Sequence, residues 1–385
     1  MRAHSHRFGA LLVAGACCLA TVAGGAAHAA APAAGSLDSA TRAQLSKALD
    51  AAFAQVNAPG AIVGVRVGRS TWTATRGVTD TVSRTPVAVD EDTRVGSVTK
   101  TFTGTLILQL VDKGKLKLDE TIERWFPQLP DARQITIREL GSMSSGIDTY
   151  TDNPTFQNEY FADPTRVWTP QELVAAGTSL PRQFAPGHGF FYSNTNFVML
   201  GLIIEQVTGK PYAQVLRNNI LQPLGLKHTI FPDNNIIPAP SWHGYTTQGT
   251  NNAQTVDSTS WSPSSAESAG QMISNLQDML TWARAVGTGA TLTAASQRAR
   301  LQGNPASAMN GREYAFAIGH DHGWLAHDGE IPGFNAQLAY YPPRDITIIV
   351  LTNSDIANPP TAPGPTPAPV IFSALGAVMT PGNAP

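Results

Sequence analysis

Ser97 and Lys100 stand three residues apart at the opening of an apolar run, Thr101 to Leu118. On a helix, residues three apart share a face, so the serine hydroxyl sits beside the lysine amine. Partial positive charge at a helix N-terminus and burial both disfavour the ammonium. A lysine held neutral in this way takes the serine proton, which turns a weak nucleophile into an acylating one. Lys100 is the only lysine in the chain with a serine three positions before it. Two more groups of chemically capable residues follow in order. Tyr192-Ser193-Asn194 comes after the turn-rich stretch Pro186 to Phe191. Its phenol can relay a proton to a leaving group, and its amide can bind a carbonyl. His327-Asp328-Gly329 lies on a strand-like run, where a glycine admits close backbone approach. The N–H of Glu330 can then pair with that of Ser97 as an oxyanion hole. Taken singly, each group has a plain structural reading: a helix cap, a turn with a buried tyrosine, and a strand with a satisfied histidine.

The elements that must position these groups are legible in outline. Ser36 to Gln55 has helical apolar spacing. Ala61 to Val67 and Trp72 to Thr79 flank Gly68-Arg69-Ser70, a hairpin pattern. Helices are expected over Ser97 to Lys113, Pro170 to Ala176, Thr195 to Thr208 and Asn275 to Val286. A loop-rich passage covers Pro232 to Ser268. Three strand-like runs close the chain, Gly323 to His327, Ala336 to Tyr341 and Ile346 to Thr352. A proline-rich connector and a last helix, Val370 to Met379, follow them. The expectation is one antiparallel sheet built from both ends of the chain, with the helical middle inserted. That is an α+β fold with a sheet lobe over about 36–96 and 311–385 and a helical lobe over about 97–310.

Composition narrows the function classes. The chain has 385 residues, 42% hydrophobic and 14% charged, with a formal net charge of −2. A sizeable core is affordable and a basic nucleic-acid surface is not indicated. Residues 1–29 have the pattern of a secretory signal: Arg2 and Arg7, an apolar stretch from Phe8 to Ala23, and the small-residue site Ala27-His28-Ala29. Both cysteines, Cys17 and Cys18, fall inside it, so the mature chain has neither a disulfide nor a thiol nucleophile. Cys17 lacks the leucine-fronted box of a lipoprotein. No later stretch is long and apolar enough to span a bilayer. His320, His322 and His327 crowd within eight residues, but without an acidic partner of known geometry they read as surface residues. We assign neither metal nor cofactor.

Together the three groups resemble the active-site serine penicillin-recognising hydrolases, the superfamily of DD-peptidases, class C β-lactamases and related esterases and D-aminopeptidases. The likeness extends through Arg94 to Phe102, Leu108 to Leu116, Tyr192 to Phe197 and Glu205 to Gly209. In these stretches the chain is similar to exported Streptomyces D-alanyl-D-alanine carboxypeptidases, over roughly residues 36 to 355. The resemblance implies a sheet flanked by helices beside an all-helical lobe. It implies Ser97 as nucleophile, Lys100 as its base, Tyr192 as proton relay, and Asn194, His327, Asp328, Gly329 and Glu330 as substrate-binding residues. The implied protein is a secreted serine hydrolase working through a Ser97 acyl-enzyme. Its foremost substrate would be a D-Ala-D-Ala stem peptide of peptidoglycan, with an esterase or D-amino-acid amidase or aminopeptidase as the alternative. A class C-like β-lactamase or a non-catalytic penicillin-binding module ranks lower. Small peptides, esters or β-lactams are the expected partners, without nucleic acid.

Two departures bear on substrate. Asp328 stands where the family carries Thr or Ser, and a carboxylate there opposes a substrate carboxylate. The family's carboxylate-binding arginine is replaced by Gly319 in the run Tyr314 to Gly319, with Arg312 nearby but unplaced. Both departures favour an amine, amide or ester substrate. Trp324 and Phe334 flank the third group and are candidates for the pocket wall. Met143, in the turn Ser142 to Gly146, is read as structural.

Overall fold

Gly60–Val67 is a run of apolar and β-branched residues that forms the second strand of an eight-stranded antiparallel sheet. Val67 and Ser70 pair across a two-residue turn to the edge strand Ser70–Gly77. On its other side the strand meets Ile346–Thr352, so the two ends of the chain share a sheet. Phe334–Tyr341, Trp324–Ile331, Gly319–Asp321, Arg312–Tyr314 and Asn304–Met309 then follow in order. The computed structural model describes residues 37–250, 254–359 and 364–385; the signal segment with Cys17 and Cys18 lies outside them, as does the middle of the proline-rich connector.

Alternation along the strands divides the core into two layers. Val63, Val65, Ile348, Val350, Trp324 and Ala339 face the helices Ser39–Phe53 and Pro367–Met379. Ile62, Ile349, Leu351, Leu325 and Leu338 face Leu276–Thr288 and the helical middle of the chain. Gly64 permits the second packing, because a Cβ there would sit 2.8 Å from a Leu276 methyl group. Three edge strands were not legible in the sequence. They are short, and their residues are mostly exposed or half-buried, so no periodic apolar pattern marks them.

The centre of the helical region is Thr99–Asp112, buried along nearly its whole length, against Asn194–Thr208. Trp282 stacks on Phe102 at 3.9 Å between ring centroids, and its indole N–H donates to Thr101 at 2.8 Å. These contacts tie the helix to the one that covers the sheet. Trp324 and Phe334 belong to the core and not to a pocket wall, since both are fully buried and Trp324 packs on Tyr341 and Phe372. Among the described residues no helix is long and apolar enough to cross a membrane.

Candidate active site

Ser97 sits on a single 3-10 turn, Gly96–Val98, and the α-helix begins only at Thr99. The sequence reading put the serine inside the helix. The difference comes from Gly96, whose φ of +50° breaks helical geometry and swings the turn against the strand Trp324–Ile331.

Lys100 is fully buried on the first turn of that helix. Its Nζ lies 2.8 Å from Ser97 Oγ, 2.7 Å from Asn194 Oδ1 and 2.8 Å from the Ala269 carbonyl. The last two partners can only accept, so they take two N–H bonds. In the neutral amine, the remaining direction carries the lone pair, and it points at the Ser97 hydroxyl. Burial depresses the amine to about pKa 7, and the negative charge of Asp328 opposes the shift. The Tyr192 and Phe197 rings close over the amine at 4.9 and 5.7 Å. Ala269, which no side-chain motif announces, was missed by the sequence reading.

Tyr192 approaches from a loop clamped on both sides. Phe191 N–H donates to the Met143 carbonyl, Ser193 Oγ donates to the Asp148 carbonyl, and Asn194 N–H donates to Thr149 Oγ1. Met143, buried with φ +61°, accepts from Ser193 N–H through its sulfur, in keeping with its structural reading. Tyr192 lines the same cavity as Ser97; burial, then the Asp328 charge, hold its phenol well above its ordinary pKa, against the smaller lowering influence of Ser97. It is therefore a proton donor at neutral pH. Asn194 commits its oxygen to Lys100 and lines the cavity, which leaves its amide N–H groups for a carbonyl.

The third group lies on Trp324–Ile331, longer than the run expected from sequence. Gly319–Asp321 pairs with it only at Trp324 to Ala326, so the edge from His327 onward has no strand beside it. The Ser97 turn fills that place. A Cβ on Gly329 would lie 2.0 Å from the Val95 carbonyl and 3.2 Å from Ser97 N, and one on Gly96 would lie 2.5 Å from Glu330 N. Two glycines thus bring the Ser97 and Glu330 amides together beside the Ser97 hydroxyl. Two N–H donors in that position can hold a developing oxyanion.

His327 turns inward on this strand and is buried. Its Nδ1 stands 2.6 Å from the Asp328 carbonyl, an acceptor, so Nδ1 carries the proton. Nε2 then accepts from the Tyr314 hydroxyl at 3.0 Å. Burial lowers the histidine pKa, Lys100 lowers it further, and Asp328 opposes both. The Tyr192 ring lies 6.1 Å from Tyr314 and 6.2 Å from His327. Tyr314 was missed because nothing in the run Arg312 to Gly319 distinguishes it from a core aromatic.

Asp328 and Glu330 lie on the opposite pleat face from His327 and are exposed. No arginine pairs with Asp328 among the described residues, and its carboxylate is 3.9 Å from His327 Nδ1. Glu330 accepts from Gln248 at 3.2 Å, and Gln248 also bonds Asp355 at 2.6 Å. Burial raises Asp355 to about pKa 6. Arg312 pairs instead with Asp321 on the edge strands, at 3.2 Å. Ser97, Tyr192, Asn194, Asp328 and Glu330 line one cavity of about 500 Å³. Its far wall is aromatic, with Tyr150, Phe156, Tyr160 and Phe161. Phe156 and Tyr160 are one helical turn apart on Pro154–Ala162, a spacing visible in the sequence.

The sequence profile of the beta-lactamase family matches residues 45–367. The chain belongs to the beta-lactamase family. Among solved structures, a D-stereospecific amidohydrolase from Streptomyces sp. is similar at TM-score 0.75 and 34% identity, over 82% of this chain and 94% of that one. A D-amino acid amidase from Ochrobactrum anthropi SV3, complexed with L-phenylalanine amide, is similar at TM-score 0.73 and 29% identity, over 82% of this chain and 92% of that one. Protein flp of Staphylococcus aureus (strain MW2) is 35% identical over 163 residues, 40% of this chain but 31% of that protein. The chain thus spans about a third of the length of that curated relative. The fold is of the β-lactamase and penicillin-binding-protein type.

Proposed function

We propose that this protein is an amidase for amides of D-amino acids that carry a free α-amino group, working through a Ser97 acyl-enzyme. The observation that carries this reading is the charge of the cavity lining: the Asp328 carboxylate stands at its rim, Glu330 beside it is pushed up to about 8 by burial and is largely uncharged at neutral pH, and none of the lining residues is Lys or Arg. Such a lining attracts an ammonium and repels the carboxylate that a carboxypeptidase must hold. The D-amidohydrolase and D-amino acid amidase likenesses support the same class and supply its stereochemistry.

The geometry supports a complete cycle. Ser97 Oγ gives its proton to the Lys100 lone pair and attacks the amide carbon. The oxyanion settles between the Ser97 and Glu330 N–H groups, each worth about 3 kcal/mol where such donors have been removed from other enzymes. The Tyr192 phenol protonates the leaving nitrogen and recovers a proton from Lys100, and the C–N bond breaks. Water then gives its proton back through the same groups, its oxygen bonds the acyl carbon, and Ser97 leaves protonated. We infer further that the signal segment exports the chain.

The test is steady-state hydrolysis of D-phenylalanine amide, its L enantiomer, N-acetyl-D-phenylalanine amide and a D-Ala-D-Ala peptide, with Ser97→Ala as control. Turnover of the free D-amide above all others is expected. Preference for the D-Ala-D-Ala peptide would replace this reading with the carboxypeptidase.

A further inference from the structure

Pro223 has no N–H to give to the helix that precedes it. After Tyr212–Leu216 the backbone widens to one π turn, Arg217–Leu221, in which the Gln222 N–H reaches back to the Arg217 carbonyl. A last short turn ends at Gly225, whose φ is +67°, and the chain doubles back through Leu226 and Lys227 to Phe231. A cavity of about 500 Å³ lies in this reversal and shares no residue with the Ser97 cavity. Its apolar wall is Leu221, Leu226, Ile230 and Phe231, all buried or half-buried. The wall is firmly held. Ile230 exchanges two backbone hydrogen bonds with Ile273, at 3.0 and 3.1 Å. Phe231 packs on Tyr212 at 4.8 Å between ring centroids, and the Tyr212 hydroxyl is 2.6 Å from Thr103 Oγ1.

Arg217 and Lys227 line the same cavity, both exposed, and no acidic residue lines it. Neither side chain makes an ion pair or a hydrogen bond among the described residues. Arg76, Arg138, Arg166, Arg182, Arg284 and Arg312, by contrast, are each paired with a carboxylate. Two unneutralised cations beside an apolar recess attract an anion, and the recess takes its hydrocarbon out of water. The apolar surface is sunk below the cations. The exposed large apolar side chains of the described residues, Ile236 among them, do not line the cavity, so it offers a bilayer no apolar anchor. We propose that this cavity is a binding site for a free single-chain anionic amphiphile, of which an alkyl carboxylate is the simplest. Its tail lies on Leu226, Ile230 and Phe231, and its head meets Arg217 and Lys227. The site is separate from the Ser97 chemistry and does not rest on the amidase reading.

The experiment is calorimetric titration of the full chain with dodecanoate, kept below its micelle-forming concentration. Saturable binding at one site is expected. Octanoate should bind about tenfold more weakly or worse, because four methylenes leave the recess. Dodecyltrimethylammonium, with the same tail and the opposite charge, should show no saturable binding. Arg217→Ser combined with Lys227→Ser removes both charges, and Ala213→Trp fills the recess from an exposed helical position. Each variant should weaken dodecanoate by about tenfold or more, with the Tm within a few degrees of the wild type. The two charges are exposed and unpaired, so the double serine variant keeps the test open if the tryptophan unfolds its helix. Absence of dodecanoate binding, or equal binding of the cationic amphiphile, would overturn the proposal. Wild-type affinity in the double serine variant would also overturn it and would place the ligand elsewhere, as on the aromatic wall of the Ser97 cavity. Sedimentation with phosphatidylglycerol vesicles in place of dodecanoate binding would assign the two cations to a membrane surface and overturn it too.

Discussion

The Tyr314 hydroxyl donates to His327 Nε2 at 3.0 Å, while His327 Nδ1 donates to the Asp328 carbonyl at 2.6 Å. Both ring nitrogens are thereby committed, and the imidazole is held neutral beside Lys100 and Tyr192. The titratable groups around it are Lys100, Asp328, Tyr192 and Tyr314. In Tyr314→Phe, Nε2 is free to take a proton, and the resulting imidazolium opposes positive charge on Lys100. The expected outcome is an acid limb of kcat/KM that steepens from a one-proton to a two-proton dependence below about pH 6. Activity above about pH 8 should change by less than about threefold. An acid limb that keeps its slope would make Tyr314 a packing residue only.

Lys100 must be neutral to act as the base, and its pKa lies at about 7 because it is buried. Activity should therefore rise with pH through that value in the wild type. Asp328 favours the ammonium, so Asp328→Asn lowers the Lys100 pKa further. The acid limb should move to lower pH, while KM for a free D-amino-acid amide rises by about tenfold. The N-acetylated amide should show the shift in the limb without the rise in KM. A limb that moves toward higher pH would contradict the assigned charge coupling.

Gly96→Ala tests the paired amides. The new methyl group meets Glu330 N at 2.5 Å, and the φ of +50° is strained for alanine. We expect kcat to fall by about 100-fold or more, the scale of losing one oxyanion donor, with the Tm lowered by only a few degrees. Stopped-flow acylation by an ester separates this from a binding defect, because KM should be little changed. Acylation at the wild-type rate would remove the oxyanion hole from the account.

Glu267 carries a different consequence. Its φ of +45° is unusual for a non-glycine residue, and burial raises its carboxyl from 4.5 to about 7. The folded state thus holds the proton more tightly than the unfolded chain does. Its contribution to stability is complete below about pH 4.5 and is lost as pH rises through about 7. Urea titrations should show Glu267→Gln gaining on the wild type by about 2 kcal/mol between pH 5 and pH 8. A difference independent of pH would place the carboxylate in solvent.

The sheet was legible because Val63, Val65, Ile348 and Val350 alternate with residues of the opposite layer, and the Ser97, Tyr192 and His327 groups were legible because each is a short local pattern. The edge strands were not, since partly exposed pairs such as Arg312 and Asp321 carry no period-two signal. The third acceptor of Lys100 is the Ala269 backbone carbonyl, and no sequence motif can announce a main-chain group. The direction of Asp328 depended on where its strand began and what paired with it, which only the register with Gln337 supplied. Ser97 was displaced from the helix by one glycine torsion.

The most direct measurement is intact-protein mass spectrometry of the full chain quenched within milliseconds of mixing with D-phenylalanine methyl ester. The account predicts one D-phenylalanyl adduct, mapped to the peptide containing Ser97, that decays as product forms and is absent from Ser97→Ala. An adduct that persists in Ser97→Ala, or turnover of the ester by that variant at the wild-type rate, would contradict it.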